Sequence, residues 1–218
     1  MPLGQLIKGR RLALMLLLSA KGATGRKNEP VEGRTRLVKL LFLLDKEYDA
    51  FRRVAKLEFE AYAFGPYDAK IYDDLAFMEN MGWIRGSAMS QPESAANLTF
   101  QELVHDKGLA EDSYTFLERP ELYEADLSFE YLMSGVSEEV PQRYEARKYV
   151  LSPKGEEAAT SAVQAFGDNS ELSKLRSEIE EVKRRFNGMP LSDLLRFVYK
   201  KYPESATDST ILEDLRLR

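Results

Sequence analysis

Apolar residues recur along this chain mostly at helical spacing, with one short stretch that alternates instead. Leu3 to Ala20 reads as a first helix, almost wholly apolar from Leu12 to Leu18. Two glycines and a proline in Lys21–Pro30 mark a loop after it. Leu37, Leu40, Leu41, Leu44 and Tyr48 form one stripe of a second helix over Arg34 to Tyr48, which leaves Arg36, Lys39 and Lys46 largely off the stripe and in water. Leu57 to Phe64 alternates as a half-buried strand would, and Gly65-Pro66 stops it.

Asp68 is placed to cap a helix running to Met81, with Ile71, Leu75 and Met78 facing inward and Gly82 ending it in a left-handed turn. Trp83-Ile84 starts a strand, and Tyr149-Val-Leu reads as its partner. Ser152-Pro153 is a helix start, with serine as cap and proline in the first turn, for a helix to about Phe166. Leu172, Leu175, Ile179, Val182 and Phe186 repeat at coiled-coil spacing. Two heptads are marginal alone, so this helix packs on the domain or on a second subunit. A last helix spans Leu191 to Tyr202 and stops before Pro203.

The order of helix, helix, strand, long connection and strand predicts an α+β fold that is mostly α. Its core is a winged helix-turn-helix over 1–85 and 143–167. A long acidic insertion in the wing covers 86–142, and C-terminal helices cover 168–218. An insertion of that length is expected to be functional or disordered.

Charge is segregated along the 218 residues, whose net charge is −5. Twelve bases and five acids give residues 1–53 a charge of +7. Two bases and twelve acids give 86–142 a charge of −10. Arg10, Arg11, Arg26, Lys27, Arg34, Arg36 and Lys39 are therefore the candidate nucleic-acid contacts. The helix after the FGPY turn carries Lys70 against Asp68, Asp73, Asp74 and Glu79, which would repel phosphates. Asp68, Asp73 and Asp74 instead suit a basic protein partner.

The residues of catalysis are scarce. Cysteine is absent and His105 is the sole histidine, which excludes a Cys–His pair, thiolate metal sites and disulfides. Gly22-Ala-Thr-Gly25 with Arg26-Lys27 lacks the spacing of a phosphate loop and reads as a basic surface loop. Asp73 and Asp74 diverge by about 100° on a helix and build no shared metal site. The chain is expected to be no enzyme and to need no cofactor or metal. Lys8, Arg10 and Arg11 before an apolar run outline a signal peptide, but a buried first helix in a cytoplasmic protein is the favoured reading. That apolar run falls short of the roughly 20 residues that span a bilayer, so no membrane helix is expected.

Arg36-Leu-Val-Lys-Leu-Leu-Phe-Leu-Leu44, the Phe59–Tyr67 run FEAYAFGPY, Leu75 to Ile84 and Tyr149 to Gly155 together resemble the YwgA-like, phage-associated winged-helix proteins. That group is similar to the Panacea (SocA-like) antitoxin domains. The resemblance covers about half of the chain, and the acidic insertion departs from it. It implies a prokaryotic defence, toxin–antitoxin or regulatory role without catalysis. Two functions stay open: a winged-helix transcriptional regulator that binds DNA, as a homodimer through the C-terminal helices, and an antitoxin-like or adaptor module that binds a protein.

Overall fold

The computed structural model describes residues 7–62, 65–88, 147–166, 169–205 and 207. Except for 86–88, the predicted acidic insertion lies outside them, as does His105. The described residues form seven α-helices, a short 3-10 turn (Pro203–Ser205) and one three-stranded antiparallel sheet, an α+β arrangement dominated by helix.

In chain order the elements are α1 (Arg10–Ser19), β1 (Val31–Glu32), α2 (Arg34–Glu47), α3 (Asp49–Ala55), α4 (Ala69–Asn80), β2 (Ile84–Ala88), β3 (Arg147–Leu151), α5 (Pro153–Ala165), α6 (Asn169–Phe186) and α7 (Leu191–Lys201). The middle strand is β3. It pairs antiparallel with β1 through Val31 opposite Tyr149, and with β2 through Ile84 opposite Leu151.

Two helices are buried on all sides. Leu12 to Leu18 of α1 are each at most 3% exposed, packed against α3, α5, α6 and β3. Every residue of α2 from Arg36 to Leu44 is buried. That corrects the expected wet face at Arg36, 6% exposed, and Lys39, 2% exposed, whereas Lys46 is exposed as expected. The stripe Leu172, Leu175, Ile179, Val182 and Phe186 packs within the chain, in the same core cluster as α1 and α2. On α7, Leu194, Leu195, Val198 and Tyr199 face inward.

Local signals act where they were expected. The Asp68 side chain accepts from Lys70 N at 2.9 Å and caps α4. Gly82 has φ +68 at the far end. Ser152 Oγ accepts from Gly155 N at 3.0 Å, capping α5, and donates to the Gly82 carbonyl at 2.6 Å. That bond ties the start of α5 to the end of α4.

Three elements differ from expectation. Residues 57–62 form no strand and make only an isolated bridge, Glu60 with Tyr67. The helix expected to end at Tyr48 resumes at once as α3, because Tyr48 takes an extended φ of −132° and breaks the helical run between them. Val31–Glu32, just past the expected loop and assigned to no element, joins the sheet as β1.

Candidate functional site

The seven predicted phosphate contacts do not form one basic face. Arg10 and Arg11, in the first turn of α1, both turn to Asp74 in the middle of α4. Arg10 Nε donates to Asp74 Oδ2 at 2.5 Å, and Arg11 Nε donates to Asp74 Oδ1 at 2.6 Å. The Asp74 side chain is 3% exposed, whereas the two arginines keep 23% and 32%. The Arg11 guanidinium also lies 4.0 Å from the centre of the Phe77 ring, a favourable cation–π distance. Two predicted nucleic-acid residues and one predicted partner residue thus neutralise one another.

The other carboxylates divide. Asp68 is buried, and its second oxygen accepts from Glu58 N at 3.0 Å, so it holds the incoming loop as well as the helix. Asp73 is exposed. Of the three candidates for binding a basic partner, two are internal.

Arg34, at the start of α2, donates from Nε to the Tyr149 hydroxyl at 2.9 Å and lies 5.1 Å from the centre of the Tyr72 ring. Arg36 donates from Nη1 to the carbonyls of Phe186 and Met189, at 3.1 and 2.6 Å. These carbonyls lie at and just past the end of α6, where the Phe186 oxygen also accepts from Met189 N at 3.2 Å and a cation meets the negative end of the helix dipole. Burial holds the Arg36 pKa below its usual value, against the pull of Glu32. Lys39 Nζ donates to the Pro66 carbonyl at 3.0 Å and so fixes the FGPY turn onto α2.

Gly65 of that turn has φ +80. A Cβ there would stand 2.4 Å from Tyr199 Cε1, so only glycine lets α7 close over the turn. Tyr62, Tyr67 and Tyr72 stack beside it with centroids 5.0 and 5.2 Å apart.

Arg26 and Lys27 are the exposed members of the set, on the loop between α1 and β1. Glu29 organises that loop by accepting from Ala23 N at 2.9 Å, Thr24 N at 2.8 Å, the Thr24 hydroxyl and Asn187 Nδ2 at 2.8 Å. Burial pushes the Glu29 carboxyl up, but these hydrogen bonds outweigh it and hold it below its usual value. A cavity of about 310 Å³ opens beside the loop, with Leu16, Ala20, Ala159 and Ile179 as apolar wall and Lys27, Arg176, Glu156 and Glu180 as charged lining.

Sequence reasoning missed Lys183. It is 0% exposed and donates to the carbonyls of Leu17, Leu18 and Ala20 at 2.8, 2.9 and 3.1 Å, closing the end of α1. Burial lowers its pKa to about 8, opposed by Glu29. Its place beside Val182, three residues before Phe186 and four after Ile179, was the available signal, because that position lies on the apolar stripe. Glu178 was missed too. It accepts from Phe51 N at 3.1 Å near the start of α3, and burial pushes its carboxyl up.

Among the described residues, no group of three or more His, Asp or Glu side chains is placed to hold a metal ion. No helix among them is long and apolar enough to cross a membrane. No protein-family model, curated protein or solved structure matches the chain.

Proposed function

We propose that this chain is a non-enzymatic winged-helix regulatory protein that acts through a protein partner, in the manner of an antitoxin or adaptor. The connectivity supports the winged-helix assignment. Among the described residues, the elements α1, β1, α2, α4, β2 and β3 follow one another with β3 between β1 and β2, and the short α3 is added between α2 and α4. In that arrangement α4 would be the reading helix, and β2 with β3 would form the wing.

One observation carries the choice of partner. Of the seven cations expected to meet phosphate, Arg10, Arg11, Arg34, Arg36 and Lys39 are held by partners inside the fold. On α4 the exposed Lys70 is itself paired to Glu58 at 2.6 Å, while Asp73 faces solvent. Such a helix has little with which to release counterions from DNA. A homodimer through the C-terminal helices would have to use outward faces of α6 or α7, because the Leu172–Phe186 stripe is spent in the core.

The test is affinity capture of the tagged protein from its own cells after nuclease treatment. The expected result is one protein retained in constant ratio; recovery of nucleic acid alone would overturn the proposal. Arg26 and Lys27, exposed and without a carboxylate partner among the described residues, favour DNA as the second reading. Duplex binding at about 50 mM salt that weakens steeply as salt rises would establish it.

A further inference from the structure

The ends of α6 and α7, expected only as part of a homodimer interface, carry a basic and aromatic surface. Phe197 stands half-buried at its centre, its ring 4.9 Å from that of the buried Phe186. The Arg185 guanidinium lies 5.3 Å from the Phe197 centroid, and Lys201 Nζ lies 5.5 Å from it. Lys200 falls three residues after Phe197 on α7, on the same outward side. Arg184 and Arg196 extend the basic surface.

Cations near helix C-termini often serve only the helix dipole. At the end of α6 that duty is already filled. Arg36 reaches across to the carbonyls at the end of α6, and Lys183 turns inward to the end of α1. Arg184 bonds weakly to Glu180 at 3.7 Å, Arg196 to Asp193 at 2.9 Å and Lys201 to Glu47 at 2.7 Å. Among the described residues Arg185 and Lys200 have no carboxylate partner, so the surface holds positive charge that the fold does not consume.

We infer that this α6–α7 surface docks an acidic segment of a protein partner, with an apolar side chain against Phe197 and carboxylates on Arg185 and Lys200. Arginine and aromatic side chains together are the composition of protein interface cores. Glu180, Asp193 and Glu47 interleave with the cations, so an unbroken row of phosphates meets repulsion there, whereas a segment whose carboxylates fall only at Arg185 and Lys200, with its apolar side chain between them, avoids these acids. The inference rests on the protein-partner reading above but reverses the expected charge of the partner. Asp68 and Asp74, the acids that suggested a basic one, are buried.

The test uses the full chain and a fluorescein-labelled peptide of glutamates around one leucine, with a lysine analogue and a DNA duplex as comparison probes. The acidic peptide should bind and the lysine analogue should not. Arg185→Glu/Lys200→Glu, its fold checked by thermal melting, should weaken acidic-peptide binding by about tenfold. Arg26→Glu/Lys27→Glu, on a different surface, should leave it unchanged. Equal weakening by both variants would overturn the inference, as would duplex DNA binding the surface more tightly than the peptide. If the Arg185→Glu/Lys200→Glu variant still captures the native protein partner at full yield, this location fails while the protein-partner reading stands. If no variant and no wild type captures a protein, that reading fails first.

Discussion

Arg11 and Asp74 are 63 positions apart and meet at 2.6 Å, so the N-terminal helix is locked to the helix that follows the FGPY turn. With Arg10 on its other oxygen, Asp74 is a nearly inaccessible anion serving two cations. Asp74→Asn keeps the shape but leaves two adjacent guanidiniums without their counter-charge. The expected cost is about 2 kcal/mol of stability, below the range for a fully buried ion pair because the two arginines left behind are partly exposed, read from urea unfolding. The variant should also show stronger, more salt-sensitive duplex binding than the wild type, because two arginines are released. Unchanged stability would mean that the pair does not hold α1 to α4.

Lys183 makes stability depend on alkaline pH. Its pKa is about 8 folded and about 10.5 in an unfolded chain. Between those values the folded protein has lost a proton that the unfolded chain retains, so stability rises with pH through this window. The full span corresponds to about 3 kcal/mol. Lys183→Met should remove that rise while lowering stability near neutral pH, since the carbonyls of Leu17, Leu18 and Ala20 lose their donor. Tyr48, pushed up to about 12 by burial and by Glu181, works in the opposite direction above pH 10. Unfolding free energies between pH 8 and 10 therefore isolate the lysine.

Arg36→Met should lower stability by about 2 kcal/mol, because the Met189 carbonyl just past α6 loses this donor and the Phe186 carbonyl keeps only its bond from Met189 N. Arg26→Met, on the exposed loop, should stay within about 0.5 kcal/mol. The two side chains were indistinguishable as predicted phosphate contacts, and urea midpoints separate them.

Gly155→Ala should be among the most damaging small changes in the chain. A Cβ there would stand 1.9 Å from the Trp83 carbonyl oxygen, a backbone atom that cannot swing away. The expected loss is about 3 kcal/mol, with α5 forced off the start of β2. Lys154→Ala, exposed in the same turn, should have little effect. Thermal melting of the pair checks this.

Much of the architecture was legible because its signals are local. A cap such as Asp68 or Ser152 needs only amides two or three residues away, and Gly82 needs only its own left-handed φ. The candidate site was not legible in the same way. Periodicity assigned Arg36 and Lys39 to a wet face, but α2 has none among residues 36–44, since α3, α6, α7 and β1 surround it. Long aliphatic stems let such cations cross the core to a carbonyl.

By itself the sequence determined the described helices other than α3, the strand that became β3, the caps and the predominance of α structure, since each depends on neighbours within a turn or two. Only the tertiary structure decided which charges face a partner. Arg36 is separated by 150 positions from the Phe186 carbonyl it caps. Asp74 is paired with arginines more than sixty positions earlier. A charge is free for function only when folding brings it no counter-charge or carbonyl, and that is set by packing between distant segments.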